Sequence, residues 1–237
     1  HLDCRRQRQM CIRDRQNSSR TSFYKRILFP NSVSYKWSSS ETTLPPNETK
    51  KEFDKKPVLE RFDHQLKISG LKTFHTLRPD FSWSCSNIDK IITKYNLSEY
   101  ILLFPFCSEH LEQKRWPYYD QLIKIIKKNY PNLKILIAPG PSETEKAKKL
   151  DAVSILNEDK AISISELASL IKKSKLVVAN DTGPAHMAAH LNVNGLSLFG
   201  SHTTAHKVSI ERENFKAIQV SDLKNLSAEK VFERLVF

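Results

Sequence analysis

From Tyr100 onward the chain alternates short, unbroken apolar runs with longer stretches whose apolar residues recur every three or four positions. YILLFPF (100–106), LKILIA (133–138), KLVVAN (175–180), GLSLFG (195–200) and KAIQV (216–220) read as strands, most of them apolar on both faces. Between them PYYDQLIKIIKKNY (117–130) predicts a helix with Leu122, Ile125 and Ile126 facing inward. SETE and SISE open two more helices, with Ser142/Glu145 and Ser163/Glu166 in capping-box spacing; Leu167, Leu170 and Ile171 form the inward face of the second. VVANDTGPAHMAAHLN (177–192) runs from a strand into a small alanine-rich helix, and SAEKVFERL (227–235) closes the chain as a helix. Continuous apolar strands separated by helices are the pattern of an α/β protein, a parallel sheet covered on both faces. Such sheets take ligands at the carboxyl ends of their strands, where loops enter helix N-termini.

Before Tyr95 the pattern is weaker. NSSRTSFYKRILFP (17–30) predicts a helix entered through Ser18 or Ser19, residues 38–57 a polar, proline-punctuated loop, and VLERFDHQLKISGL (58–71) an amphipathic helix striped by Leu59, Phe62, Leu66 and Ile68. FHTLRPDFSW leads as a linker into SNIDKIITKYN. Residues 16–90 are therefore read as part of one domain and residues 96–237 as a complete second one.

Length and composition narrow this further. At 237 residues and 39% hydrophobic, the chain buries one large core but is short for two full α/β domains. It holds no apolar run of membrane-spanning length and no signal-peptide pattern, so a cytoplasmic location is expected. Cys4, Cys11, Cys85 and Cys107 lack metal-site spacing and are expected to be free thiols. The net charge of +12 suggests nucleic acid until its distribution is read: half of the excess lies in residues 1–30, with seven of the twelve arginines. HLDCRRQRQMCIRDRQ has no apolar period and reads like translated sequencing-adapter text, so residues 1–15 are expected to be foreign. No aromatics interleave its charges to stack bases, which sets nucleic acid aside as a partner.

Candidate chemistry gathers at the strand ends. The chain has five glycines, and three of them (Gly183, Gly195, Gly200) fall within eighteen positions. In NDTGPAH, Gly183 permits a sharp turn or a close ligand approach, Pro184 suits the first helical turn, and Asp181 or Thr182 is placed to cap. An anion at such a helix start gains about 0.3 to 1 kcal/mol from the amides and dipole, and up to about 2 when partly buried. An ordinary capped helix fits the same letters equally well. KRWP (114–117) puts Lys114 in the loop after the first strong strand, where an ammonium meets a phosphate or a trytophan neighbour merely packs.

KRWP, GPSETE, ISISELASLIKKSKLVVANDTGPAHMAAHLN and LFG together resemble glycosyltransferase family 9, the ADP-heptose:lipopolysaccharide heptosyltransferases, over residues 96–236; QNSSRTSFYKRIL resembles a stretch of that family's N-terminal domain. The resemblance implies a GT-B fold, here a Rossmann-like C-terminal domain with a truncated acceptor-side domain before it. It implies inverting transfer of a sugar from a nucleotide-diphosphate donor, ADP-heptose, to the lipopolysaccharide core, with no metal and no other cofactor. Lys114 and the Thr182 and Gly183 amides would hold the diphosphate, with Ser108 beside them. Asp181 and His186 would receive sugar hydroxyls and Glu143 the ribose. The family's general base lies in an early loop of its N-terminal domain, so no residue is assigned that role, and the fragment is expected to bind donor yet transfer poorly. SHTTAHK departs from the family's usual loop after LFG. The acceptor places the protein at the inner face of the inner membrane, a peripheral approach that the surplus lysines suit.

Three alternatives stand beside this. His186/His190 and His202/His206 each repeat at four residues and offer four imidazoles to zinc, although HMAAH lacks the glutamate of HExxH. A GT-B transferase with another donor, such as a UDP-sugar, shares the same motifs. A noncatalytic nucleotide- or RNA-binding module is the third.

Overall fold

The computed structural model describes residues 45, 47–68 and 71–236. The expected helix over 17–30 and the segment 1–15 lie outside the described residues. By contact the chain divides into two compact units, at Leu77/Arg78. In the first, α1 (Lys50–Phe53) and α2 (Val58–Ile68) are described. Thr49 caps α1 reciprocally: its Oγ1 accepts from Glu52 N at 3.3 Å while Glu52 Oε2 accepts from Thr49 N at 2.8 Å. Phe53 is buried and meets the ring of His64 edge-on.

The second unit carries the sheet. Its elements are α3 (Asp89–Tyr95), β1 (Tyr100–Phe104), α4 (Tyr119–Asn129), β2 (Lys134–Ile137), α5 (Thr144–Ala147), β3 (Val153–Ser154) and the small hairpin β4 (Leu156–Asn157)/β5 (Lys160–Ala161). Then come α6 (Ile164–Lys172), β6 (Leu176–Asn180), α7 (Gly183–His190), β7 (Gly195–Phe199), α8 (Ala205–Val208), β8 (Phe215–Gln219) and α9 (Ala228–Phe232). Six strands form one parallel sheet in the order β3-β2-β1-β6-β7-β8. The chain therefore winds outward from β1 in one direction, returns beside it at β6, and winds outward in the other. Residues 78–95 pack within this unit, so the contact division falls earlier in the chain than the expected 90–96 boundary.

Every residue of β1, β6 and β7 is buried, which explains their unbroken apolar runs. One core layer packs Leu102, Phe104, Leu170, Ile171 and Phe199 on one face of the sheet; the other packs Ile101, Leu103, Trp116, Ile123 and Ile126 on the opposite face. In α4 the buried apolar face is Leu122, Ile123 and Ile126, with Ile125 only partly covered. The Ser163/Glu166 capping box forms as its spacing predicts. The Ser142/Glu145 box does not: α5 begins at Thr144 with no side-chain cap, Glu145 pairs instead with Lys148 at 2.6 Å, and Glu143 accepts from Gly140 N at 2.8 Å. A carboxylate that closes its own preceding loop shifts the helix start by one residue and leaves Ser142 outside it.

Candidate nucleotide-binding site

The reversal of winding between β1 and β6 opens a crevice at their carboxyl ends. A cleft of about 690 Å³ lies there, lined among others by Ser108, Lys114, Glu143, Asp181, Thr182 and Gly183. Six of the seven residues expected to bind donor thus share one cavity. The seventh, His186, reaches it through Asp181, with Nε2 3.4 Å from Oδ1.

Lys114 is delivered by the loop after β1. Pro105 ends that strand, and a 3₁₀ segment, Glu109–Lys114, kinks at Leu111 before Trp116 anchors the chain. Trp116 is 1% exposed, and its Nε1 donates to Leu226 O at 2.7 Å. The packing tryptophan and the cleft lysine of KRWP are therefore one device: the indole fixes the backbone from which the ammonium projects. Asn180, the last residue of β6, is fully buried and fastens the two loops together. Its Nδ2 donates to Pro105 O at 2.9 Å, its Oδ1 accepts from Trp116 N at 3.2 Å, and the Tyr119 hydroxyl lies 3.4 Å from the same oxygen. No sequence signal marks Asn180, because its partners are sixty and more residues away.

Asp181 follows directly and is 6% exposed. Lys114 Nζ and His202 Nε2 both meet its Oδ2, at 2.7 and 3.0 Å. Burial by itself would raise this carboxyl, but hydrogen bonds from His186, Lys114 and His202, with the lysine charge, outweigh it and hold Asp181 far below the ordinary carboxylate range. The lysine expected on the diphosphate and the aspartate expected on the sugar are thus paired with each other. Such a pair presents an ammonium, with donors to spare, toward the cleft.

The mouth of α7 is open. Thr182 sits at the N-cap in extended conformation, yet its hydroxyl donates to Asn180 O at 3.2 Å rather than capping the helix. Pro184 contributes no amide hydrogen. A Cβ built on Gly183 would meet nothing within 4 Å, so the bare backbone of this residue faces free space. Glu143, at the start of α5, has one carboxylate oxygen on Gly140 N and still lines the cleft. Ala161, Ile162, Ile164 and Leu167 line the same cleft and supply an apolar wall that the hydrophobic pattern did not single out as part of a site.

The imidazoles do not assemble a zinc site. His186 and His202 turn Nε2 to Asp181, while His190 Nδ1 faces Arg212 Nη2 at 3.3 Å. Among the described residues no three His, Cys, Asp or Glu side chains are grouped to hold a metal ion. Cys85 and Cys107 are free thiols; Cys4 and Cys11 lie outside the described residues. No helix among the described residues is long and apolar enough to cross a membrane.

A parallel sheet wound both ways from a central switch, with an open helix mouth and an ammonium at that switch, defines a Rossmann-like α/β domain. The model of glycosyltransferase family 9 (heptosyltransferase) matches residues 14–235, and the chain belongs to that family. It is 30% identical over 114 residues to lipopolysaccharide heptosyltransferase 1 of Campylobacter coli, covering 44% of this chain and 33% of that protein. Among solved structures it resembles E. coli heptosyltransferase WaaC with ADP (TM-score 0.56, 23% identity, 73% of this chain and 54% of that one). It also resembles E. coli ADP-heptose lps heptosyltransferase II (TM-score 0.51, 18% identity, 69% and 51%). The chain spans about a third of the curated relative and about half of these structures. The likeness confirms the expected GT-B type of fold for the sheet domain.

Proposed function

We propose that this protein binds the nucleoside diphosphate of a nucleotide-sugar donor in the β1/β6 cleft, and that the donor is ADP-heptose, serving transfer with inversion to the core of lipopolysaccharide. The observation that carries this reading is the meeting, in one cleft at the switch of the sheet, of the Lys114 ammonium and the uncovered backbone of Gly183. Together they supply positive charge and unhindered amides to a diphosphate, which is the leaving group that a glycosyl transfer must stabilise. Ser108 lines the same cavity. Asp181, ionised and unable to face a phosphate without repulsion, accepts sugar hydroxyls together with His186, and the unoccupied oxygen of Glu143 accepts a ribose hydroxyl. The apolar wall at Ile162, Ile164 and Leu167 suits the face of a purine. The names of the relatives support heptose as the sugar and lipopolysaccharide as the acceptor. The acceptor brings the enzyme to a membrane surface as a peripheral protein, to which its excess of lysine is suited.

Isothermal titration of the chain with ADP and with UDP tests the donor. ADP is expected to bind and UDP to bind at least about tenfold more weakly. Lys114→Met is expected to weaken ADP by about tenfold or more, the loss of a charge-assisted contact, with the fold unchanged by circular dichroism. Equal affinity for ADP in the wild type and the Lys114→Met variant would refute the assignment of the diphosphate.

A further inference from the structure

The imidazole of His202 is 7% exposed at its side chain, yet it belongs to a loop that the shared motifs leave out. It is locked from several directions. Its ring lies parallel to that of Phe199, with centroids 6.0 Å apart and planes 12° from one another. Gln219 pins the loop on either side of it, donating to Gly200 O at 2.6 Å and to Thr203 O at 3.1 Å while accepting from Ala205 N at 3.3 Å. Gly200 brings the loop against the segment that presents Lys114: a Cβ there would stand at ordinary contact distance, 3.6 Å from His202 Nδ1 and 3.4 Å from Gln113 O. Only Nε2 makes a polar contact, to Asp181 Oδ2; Nδ1 is buried and has no hydrogen-bond partner.

The proton on this ring follows from its neighbours. Asp181 is ionised and can only accept, so Nε2 must carry the hydrogen. A second hydrogen on Nδ1 would be a buried donor without an acceptor, which is costly. His202 is therefore a preorganised donor through Nε2. The Lys114 ammonium touches the same carboxylate oxygen.

We propose that His202 is a positioning residue for donor recognition: it holds the Asp181 carboxylate in place, so that Asp181 stays aimed at the sugar while Lys114 turns its remaining donors to a diphosphate. This inference rests on the cleft reading given above. His186 meets Oδ1 at 3.4 Å, so when the lysine is drawn toward phosphate His202 is the partner that remains on the buried Oδ2.

Three forms of the full chain test this: wild type, His202→Phe, which keeps the stacking ring without the donor, and His202→Gln, which restores an N–H. Titration with ADP and with ADP-heptose is the readout. His202→Phe is expected to weaken ADP-heptose by about tenfold and ADP by less than about threefold, the loss being that of one hydrogen bond to a charged group. His202→Gln is expected to recover most of the difference. Equal loss for both ligands, or no loss for either, would overturn the proposal, since a merely structural residue does not separate nucleotide from nucleotide-sugar. Long-range proton–nitrogen correlation spectra of the wild type at neutral pH give a measurement independent of ligand and of variant folding. A hydrogen on Nε2 with Nδ1 bare is expected, and the opposite tautomer would refute the hold on Asp181. Failure of the wild type to bind ADP would count against the cleft reading, and the spectra would still decide the His202–Asp181 bond.

Discussion

Gly183 and Gly195 show how one residue type serves two ends twelve positions apart. At Gly183, which lines the cleft, an added methyl would meet nothing beyond its own helix and chain neighbours within 4 Å. At Gly195 it would stand 2.4 Å from Phe215 Cε2 and 2.9 Å from Val177 O, inside the sheet. Gly183→Ala is accordingly expected to leave stability within about 0.5 kcal/mol of wild type while weakening ADP by about tenfold. Gly195→Ala is expected to cost about 1 to 3 kcal/mol of stability through overpacking. Urea unfolding and ADP titration of both variants check the pair; the reverse pattern would mean that Gly183 is there for packing. His190 supports a pH prediction at the same scale. Burial, with Arg212 and His186 adding to it, pushes this imidazole down to about 4, against an ordinary value near 6.5. The unfolded chain thus takes up a proton here that the folded chain refuses, so stability is full above about pH 6.5 and is lost progressively as pH falls toward 4. The fall in unfolding free energy between pH 7.5 and 5 is expected to be shallower in His190→Gln than in wild type. Of the residues that line the cleft, Lys114, Asp181 and Gly183 could be placed there from the sequence because each stands at a strand end or helix start. Asn180 and His202 were not, because what they do is set by partners that only the folded sheet brings near.

The elements were legible where burial is complete and opaque where it is not. β1, β6 and β7 stand within two residues of their apolar runs, since a strand covered on both faces has no solvent-facing position to blur it. β3, β4 and β5 have two residues each, too few for any period, and they escaped sequence reading. Yet the turn from β5 into α6 provides the apolar wall of the cleft, so part of the site was hidden with them. The join between elements is where the site is most exposed to damage. Asn180 ties the end of β6 to the loop after β1 by bonds to Pro105 O and Trp116 N, two residues from Lys114. Asn180→Ala strands a buried carbonyl and a buried amide, each worth about 1 to 3 kcal/mol when left unpaired. A loss of about 2 to 4 kcal/mol in unfolding free energy is expected, together with weaker ADP binding because the ammonium loses its fixed origin. Unfolding curves and ADP titration measure both, and unchanged values would show that Trp116 alone places Lys114.

For the molecule as a whole, the consequential fact is where the contacts divide. Every residue assigned to the cleft, from Ser108 to His202, lies in the unit that runs from Arg78 to Phe237, and so do both core layers of the sheet. The residues that hold the site (Asn180, Trp116, Phe199 and Gln219) are in that unit as well. Nothing described of the site draws on residues before Arg78. The sequence separated a well-patterned second domain from a poorly patterned first because a doubly wound sheet repeats its signal, whereas α1 and α2 offer two short helices and a single buried phenylalanine. A unit of this size buries enough apolar surface to fold by itself. A chain of residues 78–237 is therefore expected to unfold in one cooperative transition and to bind ADP within about threefold of the full chain, a difference of less than about 1 kcal/mol. Transfer to an acceptor is a separate matter, since the buried carboxylate of the cleft, Asp181, is already committed to three partners. Thermal unfolding and ADP titration of the 78–237 chain decide the point: a molten or non-binding fragment would mean that the first unit, for all its weak pattern, completes the nucleotide site.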